Sequence, residues 1–285
     1  MGCGSFSSSS FAAYSVSNGR SYDSVTGRVT GQTYTAHNID EKMKPYKVMR
    51  ECCNTDEHPN TIPVILALDV TGSMGSACKE TAEALGAIMT DLYKRFKDVQ
   101  VMVMGIGDLV YDKAPIQISQ FESDIRIAEW LDKIWLEFGG GGNSYESYSA
   151  AWYMGLYHTK LDAFDKQDRK GIIITMGDEP LNPYLPEYGI KSFVGDSLQE
   201  NVDTKELYNN ACKKFDIFHI AVDSNSSSYW RYKNDIKETF GELLGDRLKI
   251  ATINALSGTI CECIEESVNG ITSKEILVNK DGISW

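Results

Sequence analysis

The oxygen-bearing side chains Asp69, Thr71 and Ser73 alternate along Asp69-Val70-Thr71-Gly72-Ser73-Met74-Gly75-Ser76, one at every second position. In an extended turn, that spacing points one carboxylate and two hydroxyls the same way. Three hard oxygens of low total charge suit Mg2+, with Mn2+ or Ca2+ as substitutes, and do not suit zinc. Gly72 and Gly75 let the backbone turn sharply before a helix begins. A helix start needs one capping oxygen. Three in register exceed that need, so the pattern reads as a metal site.

Two other stretches offer oxygens. Gly139-Gly140-Gly141-Gly142-Asn143-Ser144-Tyr145-Glu146-Ser147 carries four consecutive glycines. Each destabilises regular structure by about 0.5–1 kcal/mol relative to alanine, so a folded domain keeps them where backbone must approach something closely. Asn143, Ser144 and Glu146 are the oxygen donors of this loop. Met176-Gly177-Asp178-Glu179-Pro180 follows an apolar run and sets two acids beyond it. Asp108, after Gly105-Ile106-Gly107, is a weaker candidate because acids beside glycine are common in turns.

These loops need elements to hold them. Val64-Ile65-Leu66-Ala67-Leu68 is apolar at every position and bounded by Pro63 and Asp69. A run apolar on both faces is the pattern of a central parallel strand covered by helices on both sides. Similar runs recur at 101–106, 172–175, 217–222 and 248–251. Between them, Leu85, Ile88, Met89, Leu92 and Phe96 share one helical face. Ile127, Leu131, Ile134 and Phe138 share a second, Tyr148, Trp152 and Leu156 continue a third, and Leu256, Ile260, Ile264 and Val268 mark a last helix. Ile116 and Ile118, just after Pro115, suit a short antiparallel edge strand. The expectation is a Rossmann-like α/β fold: a doubly wound, mostly parallel six-stranded sheet, helices on both faces and one antiparallel edge strand. Ligands of such sheets sit at the carboxyl ends of the strands, where these loops lie.

Composition bounds the rest. The chain has 285 residues, 42% hydrophobic and 24% charged, with a net charge of -12. An acidic surface repels phosphate backbones and anionic membranes, which argues against nucleic acid or membrane as partner. No run of 18 apolar residues suggests a membrane span, and the amino terminus lacks a secretory pattern. The seven scattered cysteines read as reduced thiols, implying a cytoplasmic setting. Residues 1–60 are set apart as a Ser/Gly-rich extension, either a disordered leader or an extended arm of β-forming residues. Residues 61–268 form the main domain and 269–285 a carboxy-terminal tail.

The Asp-x-Thr-x-Ser motif after the first strand, the Gly-rich loop before a helix and the acidic turn after a core strand resemble a von Willebrand factor A domain. More narrowly, 139–153 and 170–179 are similar to bacterial and phage-borne proteins carrying such domains. The family's metal-ion-dependent adhesion site maps onto Asp69, Thr71 and Ser73. Its second-loop threonine falls nearest Asn143, then Ser144. Its acid after the fourth strand maps to Asp178, which here follows Met176 and Gly177 rather than a threonine directly. The resemblance implies Mg2+ with one open coordination position, filled by an Asp or Glu of a protein partner. It places Gly141, Gly142, Glu146 and Glu179 on the partner side. An AAA+ ATPase or a multi-protein complex is the class of partner implied.

Two other functions fit parts of the sequence. A phosphatase of the haloacid dehalogenase type also sets an aspartate after its first strand, but it needs a second acid where Thr71 stands. A structural role in a phage-like particle would rest on the terminal extensions instead. Neither a dinucleotide fingerprint nor a catalytic histidine is evident. His219, inside an apolar strand, reads as a packed core residue.

Overall fold

A computed structural model describes residues 4–31, 34–139 and 142–281, with side chains except at 82, 85–87 and 271–281. The main sheet has six strands: β1 (Ile62–Asp69), β2 (Val99–Ile106), β3 (Ile116–Ile118), β4 (Gly171–Gly177), β5 (Phe215–Asp223) and β6 (Leu248–Thr252). They lie in the order β6-β5-β4-β1-β2-β3. All neighbours are parallel except β2 and β3, whose antiparallel pairing sets Ile106 against Ile116. This is the expected doubly wound sheet with its antiparallel edge.

Side-chain alternation along β1 explains the layers. Val64, Leu66 and Leu68 face one way, where they pack with Ile88, Met89 and Leu92 of α2 (Ser76–Arg95), Ile127 and Leu131 of α3 (Arg126–Lys133), and Ile260 and Ile264 of the last helix. Ile65 and Ala67 face the other way, against Trp152 and Met154 of α4 (Ser149–Tyr157), then Leu207 and, further along, Ile236 and Phe240. Leu207 lies on α6 (Thr204–Ala211), which follows the short α5 (Asp162–Gln167). Ile236 and Phe240 lie on α7 (Tyr229–Leu244), and the last helix is α8 (Leu256–Asp281). Both faces of β1 are therefore sealed from water, as its unbroken apolar run requires.

Two expectations are corrected. The helical periodicity through Ile134 and Phe138 ends at Lys133, and Phe138 lies exposed in a loop with φ of 50°. The reason is tertiary. Gln117 on β3 bonds both the N–H and the C=O of Trp135, at 2.9 and 2.8 Å, and draws the chain out as an extended segment. Glu137 then accepts from the N–H groups of Lys113 and Ala114. The amino-terminal region is neither a disordered leader nor an extended arm over its first part, because Ser8–Ser17 is a helix, α1. Its start is fixed by a capping box in which Ser7 and Ser10 exchange side-chain and backbone bonds. It docks through Phe6 and Phe11, buried beside Tyr93 and Tyr22, and through Tyr14 and Arg20, both bonded to Asp132. Beyond the acidic turn, Tyr184–Leu185 pairs with Val202–Asp203, and a helical segment runs from Glu187 to Val194.

Candidate metal site

The register of the sheet brings the turns after β1, β2 and β4 together. Leu68 of β1 pairs with Met176 of β4, and Asp69 pairs with Ile106 of β2. The turns after all three strands therefore open at the same edge. The sheet's order reverses beside β1, which makes the crevice at its carboxyl end the position where doubly wound sheets bind ligands.

Asp69 is fully buried at that edge. Its Oδ1 accepts from the Thr71 N–H at 2.9 Å and from the Thr71 hydroxyl at 2.6 Å. The Thr71 and Ser73 hydroxyls lie 3.1 Å apart, and Ser73 Oγ donates to Asp178 Oδ1 at 3.0 Å. The other oxygen of Asp178 accepts from the N–H of Ser228. A continuous chain of oxygens thus runs from Asp69 through Thr71 and Ser73 to Asp178. With the hydroxyl protons directed at the two carboxylates, hydroxyl lone pairs remain for a hard cation.

Sequence reasoning passed over Tyr148, which ties the site together from below. Its hydroxyl donates to Asp69 Oδ2 at 2.5 Å and accepts from the N–H groups of Asp178 and Glu179 at 3.2 and 3.3 Å. Its ring is wholly buried, edge-on to His219. As one apolar position of a helical pattern, Tyr148 gave no sign of this. Gly177 makes room for it: a Cβ there would stand 2.0 Å from the Tyr148 oxygen. Gly72 serves a similar end, since its N–H donates to Gly139 O at 2.6 Å and a Cβ would crowd that carbonyl. That contact seats the start of the glycine run against the Asp69 loop.

The second loop divides its candidates. Asn143 turns to Asp108, donating to its Oδ2, and Ser144 is exposed. Gly142 is exposed beside the Tyr111 hydroxyl, whereas Gly141 lies outside the described residues. Glu146 is buried, and its Oε2 has no hydrogen-bond partner. Asp108 and Asp112 form a neighbouring acidic turn, in which Asp112 accepts from the Asp108 N–H at 2.8 Å. Asp112 and Ser228 are further residues that sequence reasoning missed. The only available signal was position: each falls within ten residues of a strand's carboxyl end.

The electrostatics are those of carboxylates gathered with little compensating charge. Burial pushes Asp69 up, and the nearby Asp178 charge adds to the effect. Burial likewise raises Asp178 and Glu146, takes Glu179 up to about 7, and takes Asp112 to about 6. Desolvated carboxylates favour either a proton or a cation. Among the described residues no three His, Cys, Asp or Glu side chains stand in metal-holding geometry. The fit to a divalent ion thus depends on hydroxyl oxygens beside the acids, a donor set suited to Mg2+.

Exposed aromatic residues border this edge. Tyr111, Tyr184 and Tyr188 are each about half exposed. Tyr111 follows β2, and its hydroxyl lies beside Gly142.

No protein-family model and no curated protein matches this chain. Solved structures do match. The pilus adhesin SpaC from Lactobacillus rhamnosus GG, in its open conformation, is similar over 78% of this chain and 31% of its own, with 12% identity and a TM-score of 0.52. The SpRpn10 VWA domain is similar over 67% of this chain and 87% of its own, with 9% identity and a TM-score of 0.41. Proximal thread matrix protein 1 from the mussel byssus, described with a zinc-occupied MIDAS motif, is similar over 76% and 48%, with 11% identity and a TM-score of 0.48. The chain spans half or less of the adhesin and of the thread matrix protein. At such identities the likeness is one of fold.

Proposed function

We propose that this chain, whose fold is that of a von Willebrand factor A domain, is a divalent-cation-dependent protein-binding module. The observation that carries the reading is the oxygen chain Asp69–Thr71–Ser73–Asp178 at the carboxyl edge of the sheet. Thr71 and Ser73 offer hydroxyl oxygens to Mg2+, and Asp69 and Asp178 orient those hydroxyls and supply negative charge. Tyr148 keeps Asp69 in place. Mg2+, when bound, supplies a Lewis-acidic position that accepts a carboxylate of a partner protein. Gly142 is exposed on the side a partner would approach, whereas Glu179, like Glu146, is buried and is not offered to a partner as the resemblance implied; the half-exposed tyrosines give the rim the aromatic character of a recognition surface. Ca2+ or Mn2+ can take the same place. An AAA+ ATPase or another multi-protein assembly in the cytoplasm is the setting this mechanism suits.

Thr71, where a haloacid dehalogenase-type phosphatase needs an acid–base carboxylate, spends its hydroxyl on Asp69. The geometry therefore supports binding over phosphoryl transfer. Affinity capture from a cell extract tests the proposal, using wild-type protein with Mg2+, wild-type protein with EDTA, and Asp69→Ala. The expected result is a protein captured only in the first case. Capture that survives both EDTA and Asp69→Ala overturns the mechanism.

A further inference from the structure

Glu146 is the feature of this region that the oxygen chain leaves unexplained. It is only 3% exposed, and its Oε2 has no hydrogen-bond partner. A buried carboxyl oxygen left without a donor is strongly unfavourable unless something else compensates it. Burial pushes its carboxyl up, and the carboxylates of Asp69, Glu179, Asp112 and Asp108 push the same way.

The position is also fixed rather than accidental. The Glu146 N–H reaches Pro180 O at 3.4 Å, and the residue bridges to Leu181 just beyond the acidic turn. On its other side, Ser147 Oγ accepts from the Leu109 N–H at 3.0 Å and Tyr148 holds Asp69. Three loops therefore clamp the backbone on which Glu146 sits. A flexible surface acid could swing into water, but this one is held in the space between the β1, β2 and β4 turns.

We infer that Glu146 is itself a ligand of the cation, filling the second-loop role that the family resemblance gives to Asn143 or Ser144. The inference rests on the metal reading above and adds one residue to it. Its physical basis is complementary need: an orphaned, buried oxygen two residues before Tyr148, whose hydroxyl holds Asp69, lacks a positive partner, and an ion held directly by neutral hydroxyls gains from a carboxylate bonded to it. Asn143 is committed to Asp108 and Ser144 faces solvent, so neither competes for the place. A further acidic ligand holds the ion in the absence of any partner and reduces its residual pull on a partner's carboxylate.

Calorimetric titration with Mg2+ and Mn2+ separates the possibilities. Glu146→Gln should weaken binding at least tenfold, while Asn143→Ala and Ser144→Ala stay within threefold of wild type. If Asp69→Ala abolishes binding but Glu146→Gln stays within threefold of wild type, this inference fails and the metal reading stands. If wild type takes up neither ion at millimolar concentration, both fail. Anomalous diffraction from wild-type crystals soaked in Mn2+ does not depend on any variant folding. It should place the ion about 2.0–2.6 Å from a Glu146 oxygen. An ion bonded to Ser73 but roughly twice that distance from Glu146 overturns the assignment.

Discussion

Tyr148 concentrates three polar obligations on one hydroxyl: a donation to Asp69 and acceptances from the N–H groups of Asp178 and Glu179. Tyr148→Phe leaves all three without a partner in a dry setting. The expected loss of stability is about 1–3 kcal/mol, read from urea denaturation, together with weaker metal binding as Asp69 loosens. His219 makes a different prediction. It is wholly buried, stacked 3.7 Å from the Phe240 ring, bonded only through Nδ1 to Thr175, and lowered by burial to about 3. The unfolded chain protonates it near the ordinary value of about 6.5. Between these values the unfolded state holds the extra proton, so the contribution is complete above about 6.5 and is lost as pH falls toward 3. The slope from this residue is about 1.4 kcal/mol per pH unit. Across that window, His219→Leu should lose stability less steeply than wild type on acidification. Parallel stability-versus-pH curves would refute the assignment. The raised carboxylates of the site are common to both proteins, so the difference isolates His219.

Helix α1 shows an element made by its own sequence but held by its neighbours. The Ser7–Ser10 capping box starts the helix, yet ten residues are too few to persist alone in water. Phe6 and Phe11 supply the missing stability by joining the core over α2. Phe11→Ala removes a buried ring worth about 3 kcal/mol. The expected consequence is undocking of the arm, with the sheet intact. Limited proteolysis within 8–31 should accelerate about a hundredfold, the Boltzmann equivalent of that energy, while the far-ultraviolet signal of the main domain is kept. An unchanged cleavage rate would mean that the arm is held elsewhere, for example by Arg20 on Asp132. The segment after α3 shows the converse. Its apolar spacing continues the helix, but Gln117 offers the backbone at Trp135 a better-placed pair of hydrogen bonds, and tertiary contacts prevail over periodicity.

At the scale of the molecule, a net charge of -12 and a group of desolvated acids at one sheet edge make the fold a poor insulator of its own repulsion. A cation that binds the folded state alone stabilises it by mass action. At a concentration one hundred times the dissociation constant the gain is about 2.7 kcal/mol. The melting temperature should rise by several degrees with Mg2+ or Mn2+, and return with EDTA. Monovalent salt at equal ionic strength should give a smaller rise, because screening acts on the whole surface and does not fill the site. Equal shifts from monovalent and divalent salts would argue for screening alone. Among the described residues no helix is long and apolar enough to cross a membrane.

The fold and the first loop were legible in the chain because both are written in local spacing. Uninterrupted apolar runs such as 64–68 have one economical use, a strand sealed on both faces, and alternating oxygens after such a run fall at its carboxyl end. That the oxygens of Asp69, Thr71 and Ser73 meet at that end could therefore be expected from their types and intervals alone. The rest depended on contacts between residues far apart in sequence. Asp178 reaches Ser73 across 105 positions, and Tyr148 reaches Asp69 across 79. Asn143 is turned to Asp108 by a loop whose path no local rule sets, and Glu146 is stranded by burial rather than by its neighbours in the chain. Periodicity reports which face of an element is apolar. Which polar group meets which other one is decided only when the sheet register brings the loops to a common edge.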